Sequence, residues 1–281
     1  MADPFDFDQP MRYAVMGNPV SHSKSPRIHM MFAHQFAHRI EYIAIQVDPG
    51  GFAQAVDQFR ANGGLGLNIT VPFKQEAFHL TDNMSERAQL AGAVNTLKFE
   101  ADGRIFGDNT DGAGLVHDLT HNLGITLKNK HILVLGAGGA VRGVLAPLLK
   151  QRPAGMAIAN RTVSKAMDLA QEFASHGQIE VLGFDTLRGK HFDMVINGTA
   201  ASLKGEVPPL PETLFARGAL AYDMMYADKP TPFMEWAILH GADHVADGLG
   251  MLVEQAAESY LIWRGVRPQT RDVIGKLRSG G

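Results

Sequence analysis

The residues with the plainest chemical purpose form a glycine run, Gly136-Ala137-Gly138-Gly139-Ala140, and a cationic turn, Asn160-Arg161-Thr162 with Lys165 behind it. Glycine lets a backbone approach a pyrophosphate, and a following helix offers unpaired N–H groups and the positive end of its dipole. About 20 residues beyond such glycines a carboxylate normally takes the ribose 2′-hydroxyl. None stands here. Arginine, lysine and small hydrogen-bonding groups replace it, and these suit a 2′-phosphate that a carboxylate would repel. The pattern predicts NADP, with Arg161 and Lys165, four residues apart, facing one point at a helix start. One departure is plain: the third glycine position of G-x-G-x-x-G falls on Val141, where close helix–strand packing calls for a small residue.

The elements that must position these residues are legible. A buried strand over 131–135 runs into the glycines, and an apolar helical pattern follows at Val141, Val144, Leu145, Leu148 and Leu149. Beyond it the sequence predicts a strand over 156–159 and a helix over 163–175 capped by Thr162 and stopped by Gly177. Strands follow over 179–182, 192–196, 219–223 and near 244–246, then a terminal helix over 251–264 ended by Gly265. On that helix Met251, Gln255 and Ser259 share one stripe, so Gln255 either bonds backbone or faces a ligand.

The first part of the chain alternates strand and helix, which predicts parallel pairing. Strands are expected over 13–17, 42–47 and 66–71, and helices from Ser25, with Pro26 at the first helical position, through Ala37 and over 51–61. The loop Ser21-His22-Ser23-Lys24-Ser25-Pro26 serves either as capping and turn or as an anion cradle. Asn68 and Thr70 share a strand face, and Lys74 lies just past the strand's C-terminal end, where open α/β sheets bind ligands. Helices are expected over 74–81 and from Ser85, then a hairpin turning at Ala101-Asp102-Gly103. Gly107-Asp108-Asn109-Thr110-Asp111-Gly112 carries no large apolar side chain and reads as a linker or as a polar site.

The 281 residues suffice for two ordinary domains, and 45% hydrophobic with 20% charged residues describes a globular protein. A net charge of −3 favours neither nucleic acid nor an anionic membrane, so neither is expected as a partner. The absence of cysteine excludes disulfides, thiolate nucleophiles and Cys-ligated zinc, and fits a cytoplasmic protein. The twelve histidines are scattered without metal-binding spacing, and no metal is expected. Residues 1–10, acidic with two prolines, are unlike a signal peptide and read as a loosely attached leader.

Several blocks in order resemble the shikimate dehydrogenase family: Asn18-Pro19 with His22-Ser23-Lys24-Ser25-Pro26, Asn68-Ile69-Thr70-Val71-Pro72-Phe73-Lys74, Gly92-Ala93-Val94-Asn95-Thr96, and residues 107–112. The glycine run, Asn160-Arg161-Thr162, Tyr222-Asp223-Met224 and Asp247-Gly248-Leu249-Gly250-Met251 continue the series. The resemblance implies an α/β protein with a mainly parallel substrate-binding and catalytic domain (1–111) and a Rossmann-like, doubly wound NADP domain (112–246). A helical segment (247–281) would return to the first, in a monomer or homodimer. It implies reversible reduction of 3-dehydroshikimate to shikimate by NADPH, in aromatic amino-acid biosynthesis. Lys74 and Asp111 would be the catalytic pair. Ser23 and Ser25 would hold the substrate carboxylate, and Thr70, Asn95, Asp111 and Gln255 the ring hydroxyls, with Tyr226 closing on the substrate. Met224 and Gly248 would lie near the nicotinamide, and Gly136, Ala137, Gly138, Gly139, Ala140, Asn160, Arg161, Thr162 and Lys165 would carry the phosphates. Alternatives are a quinate/shikimate dehydrogenase of broader specificity and a non-catalytic NADPH-binding regulatory protein. Two departures bear on NADP affinity rather than on the reaction. Asn197-Gly198-Thr199-Ala200-Ala201-Ser202 stands where Asn-Ala-Thr-Ser-Ser-Gly is expected, and Lys165 stands where many members have arginine.

Overall fold

A computed structural model describes residues 9–280; the leader expected over 1–10 lies, up to residue 8, outside them. The chain divides into two compact units, one running to Thr110 and resuming at Gln255, the other comprising Asp111–Glu254.

The first unit opens with β1 (Met11–Gly17), α1 (Ser25–Gln35), β2 (Ile40–Gln46), α2 (Phe52–Ala61) and β3 (Gly64–Ile69). It continues through α3 (Lys74–His79), β4 (Asn83–Met84), α4 (Glu86–Ala91), β5 (Thr96–Phe99) and β6 (Ile105–Asp108). Its sheet is mixed, in the order β2-β1-β3-β5-β6-β4. β1 pairs parallel with β2 and β3, while β5 is antiparallel to β3 and, through the hairpin that joins them, to β6. Met16, Leu67, Ile69 and Leu97 fill one face, with Phe52 and Phe73 stacked 4.9 Å apart beneath them. Helix α1 stops at Gln35, short of the expected Ala37, because Ala37 takes a left-handed conformation with φ 52°. Its cap position is Lys24; Ser25 is already helical, and its N–H donates to Ser23 Oγ at 3.2 Å.

The second unit begins with α5 (Asp111–His117), which runs into a π-helical turn at Asp118–Asn122. It continues with β7 (His131–Leu135), α6 (Gly139–Leu149), β8 (Gly155–Ala159), α7 (Val163–Glu172), β9 (Glu180–Leu182) and β10 (Phe192–Asn197). After β11 (Phe215–Asp223) comes α8 (Pro232–Leu239), a helix the sequence reading overlooked although Thr231 caps it, accepting from Met234 N at 3.3 Å, and Pro232 opens it. The last strand is β12 (His244–Asp247). All pairs are parallel, in the order β12-β11-β10-β7-β8-β9, so the winding direction reverses between β7 and β10. Ligands bind at the carboxyl ends of strands at such a reversal.

Helix α9 (Leu249–Arg264) starts in the second unit and ends in the first; α10 (Arg271–Arg278), also unforeseen, follows. The expected boundary at 246/247 therefore falls eight residues early, and Asp111 belongs with the second unit. The cause is local packing. The Asp118 carboxyl fills the space where Gly250 lacks a side chain, accepts from Tyr222 Oη (2.8 Å) and Asn122 Nδ2 (2.9 Å), and Asn122 reaches Glu254 at 2.9 Å. Burial above all, and the Glu254 and Asp247 carboxylates more weakly, raise the pKa of Asp118.

The rest of α9 closes the first unit. Trp263 stacks on Tyr13 at 4.6 Å and donates Nε1–H to Leu97 O at 2.9 Å. Only glycine at 66 permits this, since a Cβ there would sit 2.4 Å from Nε1. Beside it His29 is fully buried, stacked on Tyr42 at 4.3 Å, with Nε2 3.1 Å from Asn68 Oδ1. That carbonyl only accepts, so Nε2 carries the proton and Nδ1 has no partner among the described residues.

Burial lowers the pKa of His29 to about 3, so folding favours the neutral ring. Between this value and the ordinary 6.5 the unfolded chain binds the extra proton, so stability falls as pH falls. We expect His29→Gln to lose less stability than the parent between pH 7 and pH 5, by roughly 2 kcal/mol in urea unfolding. Parallel losses in the two proteins would remove His29 from this role.

Candidate active site

Thr70, Lys74 and Asn95 are gathered by backbone hydrogen bonds where β3 ends. Ile69 N donates to Asn95 O (2.8 Å), Val94 N to Lys74 O (2.8 Å) and Phe73 N to Thr70 O (3.0 Å). Gly17 makes room for Thr70, whose methyl lies 2.3 Å from where a Cβ would stand. Lys74 is half-buried on the first turn of α3. Asn95 is 2% exposed; its Oδ1 accepts from Thr110 N (2.9 Å) and Thr96 Oγ1 (2.9 Å), and its Nδ2 donates to Thr110 Oγ1 (2.9 Å) and Gln255 Oε1 (3.2 Å). Gln255 thus faces side chains of this polar group.

Ser23 and Ser25 have local work. Ser23 accepts from Ser25 N, and the buried Ser25 hydrogen-bonds the Tyr42 hydroxyl, so the loop caps α1. A hydroxyl that accepts one N–H can still donate its own hydrogen. The residues that sequence reasoning underrated are Asn68, Thr96 and Ser259. Asn68 Nδ2 lies 2.9 Å from Ser259 Oγ and 3.2 Å from Thr96 Oγ1, and these two hydroxyls are 2.8 Å apart. Asn68 is spent on the scaffold, and the stripe on α9 was the signal for Ser259.

In the second unit the glycine run leaves β7 at the winding reversal. Gly136 has φ +105°, and a Cβ there would press on Gly198 O and Thr199 Cγ2, both at 3.3 Å. Gly138, Gly139 and Ala140 are exposed at the start of α6, with nothing within 4 Å of a Cβ added at either glycine and no side-chain cap on the helix. An anionic group can therefore approach the first helical N–H groups. Asn160 Nδ2 donates to Thr162 O at 2.8 Å, which shapes the turn after β8. Arg161, Thr162 and Lys165 are exposed there, and no acid stands among them. These features fit a dinucleotide with a 2′-phosphate. Two expectations need correction. α7 starts only at Val163 and ends at Glu172, so Arg161 precedes the helix and the i, i+4 argument fails for it and Lys165. Thr162 sits at the cap position without a side-chain capping bond.

The loop after β10 is held by Asp223, which the sequence reading quotes in a block but gives no role of its own. Its carboxylate accepts from Ser202 Oγ (2.7 Å), Thr231 Oγ1 (2.6 Å), Asn197 Nδ2 (3.2 Å) and Met225 N (3.1 Å). Asn197 Oδ1 in turn accepts from Thr199 N and Oγ1, at 3.1 and 2.7 Å. Ala201 joins the same loop through its backbone, its N–H donating to Thr199 Oγ1 at 3.3 Å. Gly248 lets the backbone of Met224 approach, its O only 2.2 Å from a hypothetical Cβ, and Gly248 N donates to Met225 O at 2.9 Å. Burial first, and the Asp247 carboxylate second, raise the pKa of Tyr226, which keeps its phenol a donor. Among the described residues no group of three or more His, Asp or Glu could hold a metal ion.

Val141 at the third glycine position is fully buried, and its methyl Cγ2 lies 2.5 Å from where a Cβ on Gly198 would be. The missing glycine and the extra one therefore compensate each other. We expect Gly198→Ala and Val141→Ala each to cost about 1–3 kcal/mol. The double variant should lose less than the sum by about 1 kcal/mol or more in denaturant unfolding. Strict additivity would show the two positions to be independent.

Comparison with known proteins agrees with this construction. Residues 15–97 match the shikimate dehydrogenase substrate binding domain, 118–204 the shikimate / quinate 5-dehydrogenase domain, and 248–278 the shikimate 5′-dehydrogenase C-terminal domain. A shikimate dehydrogenase (NADP(+)) of Alkalilimnicola ehrlichii is 60% identical over 267 residues, covering 95% of this chain and 98% of the relative. Among solved structures, an Ael1 enzyme from Pseudomonas putida is 50% identical with TM-score 0.90, covering 95% of this chain and 98% of its own. A shikimate 5-dehydrogenase from Thermus thermophilus, in complex with NADP(H) and shikimate, is 32% identical with TM-score 0.83, covering 96% and 100%. With this coverage and identity, the chain belongs to the NADP-dependent shikimate dehydrogenase family of oxidoreductases.

Proposed function

We propose that this chain reduces the ketone of 3-dehydroshikimate to the alcohol of shikimate, reversibly and with NADPH, using Lys74 and Asp111 as its acid–base pair. The observation that carries the reading is the cluster at the end of β3, where Thr70, Lys74 and Asn95 are tied together through the backbone. NADPH supplies a hydride to the carbonyl carbon when bound. Negative charge then develops on the carbonyl oxygen, and the Lys74 ammonium both stabilises it and donates the proton. Asp111, the first residue of α5, orients that proton transfer and accepts a ring hydroxyl. The Ser23 hydroxyl donates to the substrate carboxylate, that of Ser25 does so by turning its one hydrogen away from the Tyr42 oxygen, and Thr70, Asn95 and Gln255 hold the ring hydroxyls. Tyr226, kept neutral, donates to the substrate from the loop that also carries Met224.

On the cofactor side, the exposed backbone of Gly138, Gly139 and Ala140 takes the pyrophosphate, assisted by Gly136 and Ala137 in the turn. Asn160, Arg161, Thr162 and Lys165 take the 2′-phosphate, while Met224 and Gly248 lie at the nicotinamide. A cytoplasmic place of action accords with the cysteine-free sequence, and no described helix is long and apolar enough to cross a membrane.

The decisive experiment compares initial rates for shikimate and quinate, each with NADP⁺ and NAD⁺. We expect a strong preference for shikimate with NADP⁺. Comparable rates with quinate or NAD⁺ would indicate a broader dehydrogenase, and absence of turnover with every pair a binding protein. Lys74→Ala should lower kcat roughly a thousandfold while NADPH affinity, followed by fluorescence titration, stays within about twofold. Retained turnover would remove Lys74 from its role.

A further inference from the structure

Beside the cationic turn, the second unit contains a cavity of about 530 Å³ that the reading above does not use. Arg161 lines it, and so does Arg188, which no motif singles out. Val163, Phe184 and Leu210 supply apolar walls, and the Asp185 carboxylate also faces it. Arg188 follows the short helical turn Phe184–Leu187, which is anchored by the fully buried Leu187. Neither arginine forms an ion pair among the described residues, and Asp185 forms none either. The cavity thus offers two forked cations against one carboxylate, beside half-buried apolar surface.

We propose that Arg188 is a second cation for the 2′-phosphate of NADP and a determinant of the preference for NADP over NAD. The inference rests on the reading that Arg161 binds that phosphate. The chemistry is that of a nucleotide bearing a dianion next to a flat, apolar-faced base. A phosphate oxygen pair takes a guanidinium fork, and a guanidinium plane stacks on a base edge. Two arginines leave a net positive charge after Asp185 is counted, whereas Arg161 alone would be cancelled by it. Lys165 does not line the cavity. Arg188 therefore provides the planar fork that the lysine at 165 gives up, from the opposite segment of chain. The size is adequate, since small-molecule sites commonly occupy about 300–1,000 Å³.

The test uses the full-length protein and direct binding. Dissociation constants for NADP⁺, NAD⁺ and adenosine 2′,5′-bisphosphate are measured by calorimetry or fluorescence for the parent, Arg188→Gln, Arg188→Lys and Arg161→Gln. We expect Arg188→Gln to lower the NADP⁺/NAD⁺ affinity ratio about tenfold, or about 1.4 kcal/mol, and to weaken adenosine 2′,5′-bisphosphate equally. Arg188→Lys, which keeps the charge and loses the fork, should fall between. If Arg161→Gln lowers the ratio and Arg188→Gln leaves it unchanged, the assignment of Arg188 is overturned and the phosphate site at Arg161 stands. If neither changes the ratio, the phosphate site itself is elsewhere and both readings fail.

Discussion

The first unit depends on satisfying one buried carboxamide. Asn68 is 5% exposed, and each of its polar atoms must find a protein partner because water cannot reach it. Its Oδ1 accepts from Tyr42 on β2 (2.7 Å) and from His29 on α1, while its Nδ2 serves Ser259 on α9, Thr96 on β5 and the Asn95 carbonyl. Four segments, α1, β2, β5 and α9, are thereby fixed around one residue of a fifth, β3. Leaving such a group unpaired costs about 1–3 kcal/mol, which makes the arrangement all-or-none. The residues assigned to substrate are its neighbours: Asn95 through its own carbonyl, Gln255 one helical turn before Ser259, and Thr70 two residues on, just past the end of β3. Their placement is inherited from the network and does not have to be specified separately.

The second unit repeats the logic with a carboxylate. Asp223 gathers Asn197, Ser202, Thr231 and Met225, and so fixes both the loop after β10 and the start of the loop that carries Met224 and Tyr226. Both loops leave the carboxyl ends of adjacent parallel strands, paired in register at Asn197 and Asp223. A charge-assisted hydrogen bond is shorter and stronger than a neutral one, so a single buried carboxylate can restrain two loops at once. Ala200 and Ala201 carry no hydroxyl for this restraint. The restraining hydroxyls are those of Thr199 and Ser202, on either side of them.

Much of this was legible in the residues. The strand over 131–135 was placed to the residue, because a short apolar run bounded by glycine has one reading. The face shared by Asn68 and Thr70, with Lys74 just past the strand, is written in the spacing, whereas the backbone bonds that bring Asn95 beside them are not. What escaped detection was set by tertiary context. The Ala37 end of α1 depends on a left-handed residue that has no compositional mark. Helix α8 is the exception, since its Thr231-Pro232 cap signal is local and sits among other turn residues. The domain boundary moved to 254 because Asp118 reaches across more than a hundred residues of sequence to Gly250, a contact no local pattern announces. Val141 looked like a defect in the glycine motif until Gly198 supplied the missing volume.

The charge state of the scaffold has a consequence for catalysis. Around Asn68 the ionisable side chains are His29, Tyr42 and, at the edge, Tyr260. Burial lowers the first to about 3 and raises the last to about 12, with Tyr42 pushed well above its ordinary value. All three therefore remain neutral from about pH 5 to pH 9. A framework made of amides, hydroxyls, a neutral imidazole and phenols keeps its geometry while pH changes. Electrostatic stabilisation of the developing oxyanion is greatest where the surrounding dipoles are already oriented and need not reorganise. The pH dependence of turnover in this range then belongs to groups outside the scaffold.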